Sequence, residues 1–248
     1  MNSNASKKQY DDISGLYDIL SAGDDGFLNF RHIVEEQLNK LPAGARILDC
    51  SCGTGNHAIW MARQGFEVYA SDISEGMLRQ AKTKAKAAKA SITFIRSSWE
   101  ELPQHTDKKF EFICSPGNSF SHVSGLDMLD HSLQSIRKVL KKDGSLYFDL
   151  RNWEKTFEEN SLLPQDFQIK SEGVKYDVSY AWNIKGWNTS CEMLVNIRKH
   201  GETTYTQYVF DFFPLSYSQL HDSLKKGGFR TISRDFFPDN DYYYVIAK

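Results

Sequence analysis

The chain contains no run of about 18 apolar residues, the length a membrane-spanning helix needs. Its opening, MNSNASKKQYDD, has no apolar core of the kind that directs secretion. No membrane partner is expected, and the chain reads as cytoplasmic. Proline is scarce, 6 in 248 residues, and neither an internal repeat nor a Gly/Ser-rich or Pro-rich linker divides the sequence. Charge of one sign is also missing: 30 basic and 32 acidic side chains leave a formal charge of -2. With no global field to hold a polyanion, nucleic acid is not an expected partner. The lysines of residues 82–89 alternate with alanines and fit the solvated face of a helix. Cysteine is limited to four. Cys50 and Cys52 are too close in sequence to close a normal disulfide, and Cys114 and Cys191 stand alone, so reduced thiols are expected. Cys50, Cys52 and His57 match no usual zinc-ligand spacing, and no metal is expected.

The composition does hold enough apolar material, 40%, to bury a full core over residues 1–248 as a single domain. The order of elements then sets the architecture. Residues 46–50 form a short apolar run ending in glycines, 56–64 have helical spacing and 67–71 read as a second strand. A helix over 74–89, strands over 91–96 and 110–114, and a helix over 126–140 continue the alternation. A turn at Asp143-Gly144 leads into a fifth strand over 145–150. Strands alternating with helices at this spacing imply an α/β fold with a mostly parallel sheet covered on both faces. Between 153 and 207 the alternation stops, and aromatic and turn residues suggest a small antiparallel β insertion. A helix over 216–226 and two strands, 229–236 and 242–247, joined by a turn at 238–241, close the chain.

The segment Leu48-Asp-Cys-Ser-Cys-Gly-Thr-Gly-Asn56 places Gly53 and Gly55 at a strand-to-helix turn, where a missing Cβ lets the backbone approach a ligand. The same residues satisfy a looser dinucleotide pattern, with Asp72 at the end of the next strand as a ribose ligand. Asp49 separates the two readings. A carboxylate just before the glycines suits the cationic methionine portion of S-adenosylmethionine and would oppose a pyrophosphate. Asp72 can accept from both ribose hydroxyls, or simply cap the helix that follows. Met77, one helical turn on, fits a place under an adenine ring or an ordinary core position.

LDCSCGTG, SDIS with Met77 following, and SSWEEL resemble the first three motifs of class I methyltransferases. Residues 114–122 (CSPGNSFSH) and 148–153 (FDLRNW) are similar to stretches of the glycine N-methyltransferase and glycine/sarcosine N-methyltransferase family. The resemblance spans roughly residues 45–155, with an echo in 210–214. It implies a Rossmann-like methyltransferase fold: a mostly parallel seven-stranded sheet with a C-terminal antiparallel strand. It also implies a cofactor site in which Gly53 and Gly55 meet the methionine end, Asp72 the ribose, and Ser98 and Trp99 the adenine. Asp49, Cys52, Ile73, Met77 and Cys114, flanking the same loops, complete the expected cofactor-binding set. Asn118 would help hold the substrate beside the transferring methyl, and Arg151 would grip a substrate carboxylate, since a guanidinium fork bonds both oxygens at once. The alternative for Arg151 is a surface or strand-end arginine. Phe212-Phe213 stands where the family shows a tyrosine pair before proline, a departure that changes what amine fits. The N-terminal stretch also differs. Tyr17, expected at the cofactor and substrate, and Arg31 are candidates there because an N-terminal helix commonly lids the cofactor in this fold.

Methyl transfer from a sulfonium is an in-line displacement, so the protein's task is to align a deprotonated nucleophile and exclude water. The expectation is methyl transfer to the nitrogen of a small amino acid or amine. The alternative is another small-molecule acceptor such as a hydroxylated natural product, with Arg151 serving the scaffold. A cofactor-sensing protein without catalysis, a macromolecular methyltransferase and a nicotinamide-dependent oxidoreductase are the rival classes. His122 is conceivable as a base or as a structural histidine. A monomer or small homo-oligomer is expected.

Overall fold

A computed structural model describes residues 3–21, 26–159, 163–171, 173–230, 232–235 and 240–248. Three helices come first: α1 (Ser3–Ile13), α2 (Tyr17–Leu20) and α3 (Gly26–Leu38). Alternation follows as β1 (Arg46–Asp49), α4 (Asn56–Arg63), β2 (Glu67–Asp72), α5 (Glu75–Ala87), β3 (Ile92–Arg96), α6 (Leu102–His105), β4 (Phe110–Ser115), α7 (Leu126–Val139) and β5 (Leu140–Arg151). After α8 (Trp153–Glu159) come β6 (Gln165–Ser171), β7 (Val174–Asn183), β8 (Cys191–Lys199) and β9 (Thr206–Phe212). The chain then runs through α9 (Tyr217–Lys226), β10 (Ile232–Asp235) and β11 (Tyr242–Ala247).

Strands β1 to β5 pair in parallel, whereas β11 runs antiparallel to β5 and β10 antiparallel to β11. The order β10-β11-β5-β4-β1-β2-β3 puts β1 and β4 side by side at the point where the order of connection reverses. The C-terminal ends of such strands leave a crevice between diverging loops. Apolar side chains from α6, α7 and α9 cover one face of the sheet, and those from α3, α4 and α5 the other. Helix α5 begins where Ser74 accepts from the Met77 N–H at 3.0 Å. Helix α9 begins with a reciprocal Ser216/Gln219 box; both caps satisfy amide groups a helix start leaves orphaned.

Two expectations need correction. Asp143-Gly144 makes no turn before the fifth strand; β5 continues through it, with a register shift against β4 between Phe110 and Phe112. Gly144 is required by that close approach, because a Cβ would meet the carbonyl oxygens of Phe110 and Glu111 at 3.0 Å. The insertion is substantial rather than small. It is a four-stranded antiparallel sheet, β6-β7-β8-β9, that reaches Phe212 instead of ending near 207, and it is preceded by a helix where strands were expected. The register aligns Tyr176, Val178, Tyr180 and Trp182 of β7 with Val195 and Ile197 of β8 on one face, where they join Trp153, Phe210 and Phe212 in a third apolar cluster. Part of the expected 229–236 strand and of the 238–241 turn lies outside the described residues. Among the described residues no helix is long and apolar enough to cross a membrane.

Trp153 is fully buried at the joint between the two sheets, its ring 5.8 Å from Phe157 and 6.1 Å from Trp182. Trp153→Ala leaves a cavity in that joint and is expected to cost about 3–5 kcal/mol of unfolding free energy. Urea denaturation checks this, and a cost under about 1 kcal/mol would show the joint collapsing around the gap.

Candidate active site

A cleft of about 820 Å³ opens at the C-terminal ends of β1, β2 and β3. Its floor is Cys50, Ser51 and Gly53 after β1; its side wall is Asp72 and Ile73 after β2, Met77 of α5, and Ser97 to Glu100 after β3. Lys7 and Tyr10 of α1 and Tyr17 of α2 close it from above, and Gly117, Ser119, His122 and Met128 complete its lining. Gly53 has φ +51, and its absent Cβ faces the Tyr17 ring at 4.0 Å. Its N–H donates to Asp72 Oδ2 at 2.8 Å, and the Ser74 N–H donates to Asp72 Oδ1 at 2.8 Å. Each Asp72 oxygen thus keeps lone-pair capacity for a ligand hydroxyl.

Asp49 lies under this floor rather than on it. Its side chain is fully buried, Oδ1 accepts a long bond from the Ser51 N–H at 3.4 Å, and Oδ2 has no partner. Burial pushes its carboxyl up to about 7, against the lowering effect of the Ser51 amide and helped by the charge of Asp72. Asp72 borders the cleft, and burial raises it to about 6. A desolvated carboxylate with an orphaned oxygen beneath an open cleft is a site short of one positive charge. That fits the sulfonium and ammonium of S-adenosylmethionine. Trp99, tilted on Phe120 with ring centroids 4.9 Å apart, and Ile73 offer the apolar walls an adenine needs.

Other expected residues fall elsewhere. Gly55 does not line the cleft: its φ of +86 and a would-be Cβ only 3.0 Å from Ala81 Cβ make it the residue that lets α4 start close against α5. Cys52 lines a second, wider cleft of about 1740 Å³ that meets the first at Tyr17, Ser51, Gly53, Gly117 and Ser119. Cys114 is buried in the core with Ile47, Phe112 and Tyr147, where burial pushes its thiol up and away from ligand chemistry. Asn118 lines the second cleft with φ +59. Its Oδ1 accepts from the Ser121 hydroxyl at 2.7 Å and the Arg151 N–H at 3.0 Å, which fixes its amide orientation and turns Nδ2, a donor, to other use. Arg151 lines neither cleft. It pairs directly across the sheet with Tyr242, and its guanidinium lies over the rings of Tyr242 at 4.7 Å and Trp182 at 5.5 Å. Arg31 lies over Trp60, also off both clefts. Among the described residues Cys50, Cys52 and His57 do not gather as metal ligands.

Lys7, Tyr10 and Asp149 also line the clefts, with no motif in the sequence to mark them beyond the helical spacing of Tyr10, Ser14 and Tyr17. Tyr10 and His122 form a hydrogen-bonded pair at 2.7 Å, and His122 Nδ1 lies 2.8 Å from the Asp211 carbonyl oxygen. A carbonyl only accepts, so Nδ1 carries the proton, Nε2 accepts, and the Tyr10 hydroxyl donates to it. Burial lowers His122 to about 4, which keeps the ring neutral. Asp149 accepts from the Gly117 and Asn118 amides, both at 2.8 Å, and so shapes the loop between the two clefts.

The doubly wound sheet and its glycine turn, taken with the relatives of this chain, give the class: the chain is a class I S-adenosylmethionine-dependent methyltransferase. A methyltransferase-domain family model matches residues 47–144. A glycine/sarcosine N-methyltransferase of Aphanothece halophytica is 27% identical over 210 residues, covering 82% of this chain and 76% of that one. A solved S-adenosylmethionine-dependent methyltransferase from Clostridium acetobutylicum superposes with TM-score 0.77 at 19% identity, over 96% of this chain and 98% of that one. The sugar N-methyltransferase KedS8 from Streptoalloteichus superposes with TM-score 0.69 at 15% identity, over 93% and 92%. The last two show a shared fold.

Because the folded state raises Asp49 from the unfolded range near 3.9 to about 7, the fold binds the extra proton, and its stability falls as pH rises from 4 to 7. Ligand-free Asp49→Asn is therefore expected to be more stable than the parent at pH 8, by on the order of 1–3 kcal/mol. The gap should narrow toward pH 4. Thermal melts across that range check it; a gap independent of pH would mean that the carboxyl ionises in the fold as readily as in the unfolded chain.

Proposed function

We propose that the chain transfers a methyl group from S-adenosylmethionine to an amino nitrogen on a natural-product-like small molecule, rather than to glycine or sarcosine. The observation that carries this choice is Arg151. The resemblance would make it a carboxylate clamp, yet its guanidinium is taken up by Tyr242 and Trp182, and no arginine lines either cleft among the described residues. Phe212 and Phe213, both buried, supply no hydroxyl to a small polar acceptor. KedS8, named for a sugar N-methyl transfer, adds support through its likeness over nearly the whole chain. The second reading, glycine or sarcosine as acceptor, is favoured by the Aphanothece relative.

In this reading Gly53, Asp72, Ile73, Met77, Ser98 and Trp99 hold the cofactor, with Asp49 acting on its cation through the floor. When bound, S-adenosylmethionine supplies a methyl on a sulfonium that departs as a neutral thioether. Tyr10 donates to His122 and so turns oxygen lone pairs toward the cleft, able to orient an acceptor N–H. His122, neutral and already accepting, takes no proton near pH 7; the acceptor enters as a free amine. The Asn118 amide donates to an acceptor oxygen, and the β6–β9 sheet covers the acceptor.

Incubation with S-adenosylmethionine and an acceptor set of glycine, sarcosine, amino sugars and hydroxylated phenols, followed by mass spectrometry, tests the proposal. An amino sugar gaining 14 mass units is expected; turnover of glycine or sarcosine alone would restore the second reading. For the cofactor, ionised Asp49 and Asp72 attract a cation. S-adenosylmethionine binding should therefore weaken by up to about tenfold per carboxylate for each pH unit below its pKa. The neutral thioether S-adenosylhomocysteine should respond less. Equal pH profiles for the two ligands would remove Asp49 from cation recognition.

A further inference from the structure

Two carboxylates of the N-terminal helices, neither of them lining the cleft, anchor its upper wall. Asp11 Oδ1 accepts from the Ser74 hydroxyl and from the Gly76 N–H, both at 2.7 Å, at the start of α5. The fit is close enough that a Cβ on Gly76 would meet the Asp11 carbonyl oxygen at 2.8 Å, Asp11 Cα at 2.9 Å and Ser14 Oγ at 2.9 Å. Asp18 makes the second attachment. It takes a charge-assisted bond from Lys84 Nζ at 2.5 Å, a bond from the Thr54 hydroxyl, and one from Asn56 Nδ2 at 3.3 Å. Lys84 also donates to Thr54 Oγ1 at 3.1 Å and to Asn56 Oδ1, tying the glycine loop into the same knot.

Between these attachments lie Tyr10 and Tyr17, whose rings are 6.0 Å apart and which both border the cleft. On its far side α1 leans on the second sheet: Gln9 accepts from the Val209 N–H, and the Tyr10 ring lies 4.9 Å from Phe210. Helix α1 therefore spans from α5 on the parallel sheet to β9 on the antiparallel one, above the first cleft.

We propose that Asp11 and Asp18 are positioning residues that clamp the α1–α2 wall onto α5 and thereby set the rate at which cofactor product leaves. This rests on the reading that the first cleft holds S-adenosylmethionine. Release requires the wall carrying Lys7, Tyr10 and Tyr17 to lift. Lifting breaks the two Asp11 bonds at the α5 N-terminus, where the helix end favours a carboxylate, and the Asp18–Lys84 pair. The second attachment is partly exposed, Lys84 at 29% and Asp18 at 41%, so salt screens it.

The test is stopped-flow tryptophan fluorescence with S-adenosylhomocysteine as the probe, read through Trp99 in the cleft wall and followed by displacement with excess S-adenosylmethionine. Asp11→Ala and Asp18→Ala should each raise the dissociation rate about tenfold, the scale of losing one charge-assisted cap or ion pair. Asp11→Asn, which keeps an oxygen acceptor for Ser74 and Gly76, should restore most of the slow release. Gly76→Ala tests the same contact from the α5 side: its Cβ cannot fit against the Asp11 backbone, so release should quicken while the far-ultraviolet circular dichroism shows the parent fold retained. Added salt should speed release from the parent but not from Lys84→Met. Unchanged dissociation in Asp11→Ala, Asp18→Ala and Gly76→Ala, with probe binding intact, would overturn the clamp. Absence of probe binding by the parent protein would instead overturn the cofactor reading beneath it.

Discussion

The carboxylate of Asp72 holds the glycine turn to the next helix. One oxygen takes the Gly53 amide and the other the Ser74 amide, so two loops leaving adjacent parallel strands are fixed by one side chain at the point where the sheet's order reverses. Two amides satisfied inside the protein cost the carboxylate none of its charge, and its burial leaves that charge expensive. Asp49, a layer below and without a partner on Oδ2, makes the local field more negative still. A pyrophosphate would meet repulsion here and a cation would meet relief. The cofactor preference is therefore a property of the field around the turn as much as of the glycines in it.

That field needs walls to exclude water, and the fold supplies them from its irregular parts. The parallel sheet provides only the floor and one side. The roof comes from α1 and α2, and a further wall from the loop after β4, which Asp149 holds through two amides. Asn118 then adopts a left-handed backbone, its carbonyl oxygen spent on Ser121 and Arg151, so that it faces the second cleft as a donor. Under the proposed function, such a donor would suit a hydroxyl or carbonyl oxygen on the acceptor and would do nothing to strip a proton from its nitrogen.

The central unit was legible because its physics is local. A strand buried on both faces reads as an unbroken apolar run, and only glycines tolerate the turn that follows, so 46–72 and most elements to 150 lie where the spacing put them. The final antiparallel strand also lies where expected. The failures have non-local causes. Gly144 looked like a turn because its true reason, the carbonyls of β4, is in another strand. Gly55 looked like a ligand contact because its neighbour Ala81 is in another helix. Helix α8 was hidden among aromatics that also suit strands, and the fate of Arg151 depended on a register with Tyr242 that no local pattern announces.

Arg151 also shows how scaffold and specificity trade places on a shared fold. A strand-end arginine reaches a cleft only if its cross-strand neighbour leaves it free, and here that neighbour is a tyrosine whose ring face and hydroxyl both attract a guanidinium. Trp182 from the second sheet adds a further ring, so the arginine joins the two sheets at a place where another sequence could expose it to substrate. With that cation committed to the joint, the proposed acceptor would be met by tyrosine rings and hydroxyls, the Asn118 amide and the shape of the insertion. Such groups read an extended, oxygen-bearing acceptor by many weak contacts, whereas a compact zwitterion needs one strong charge aimed at its carboxylate.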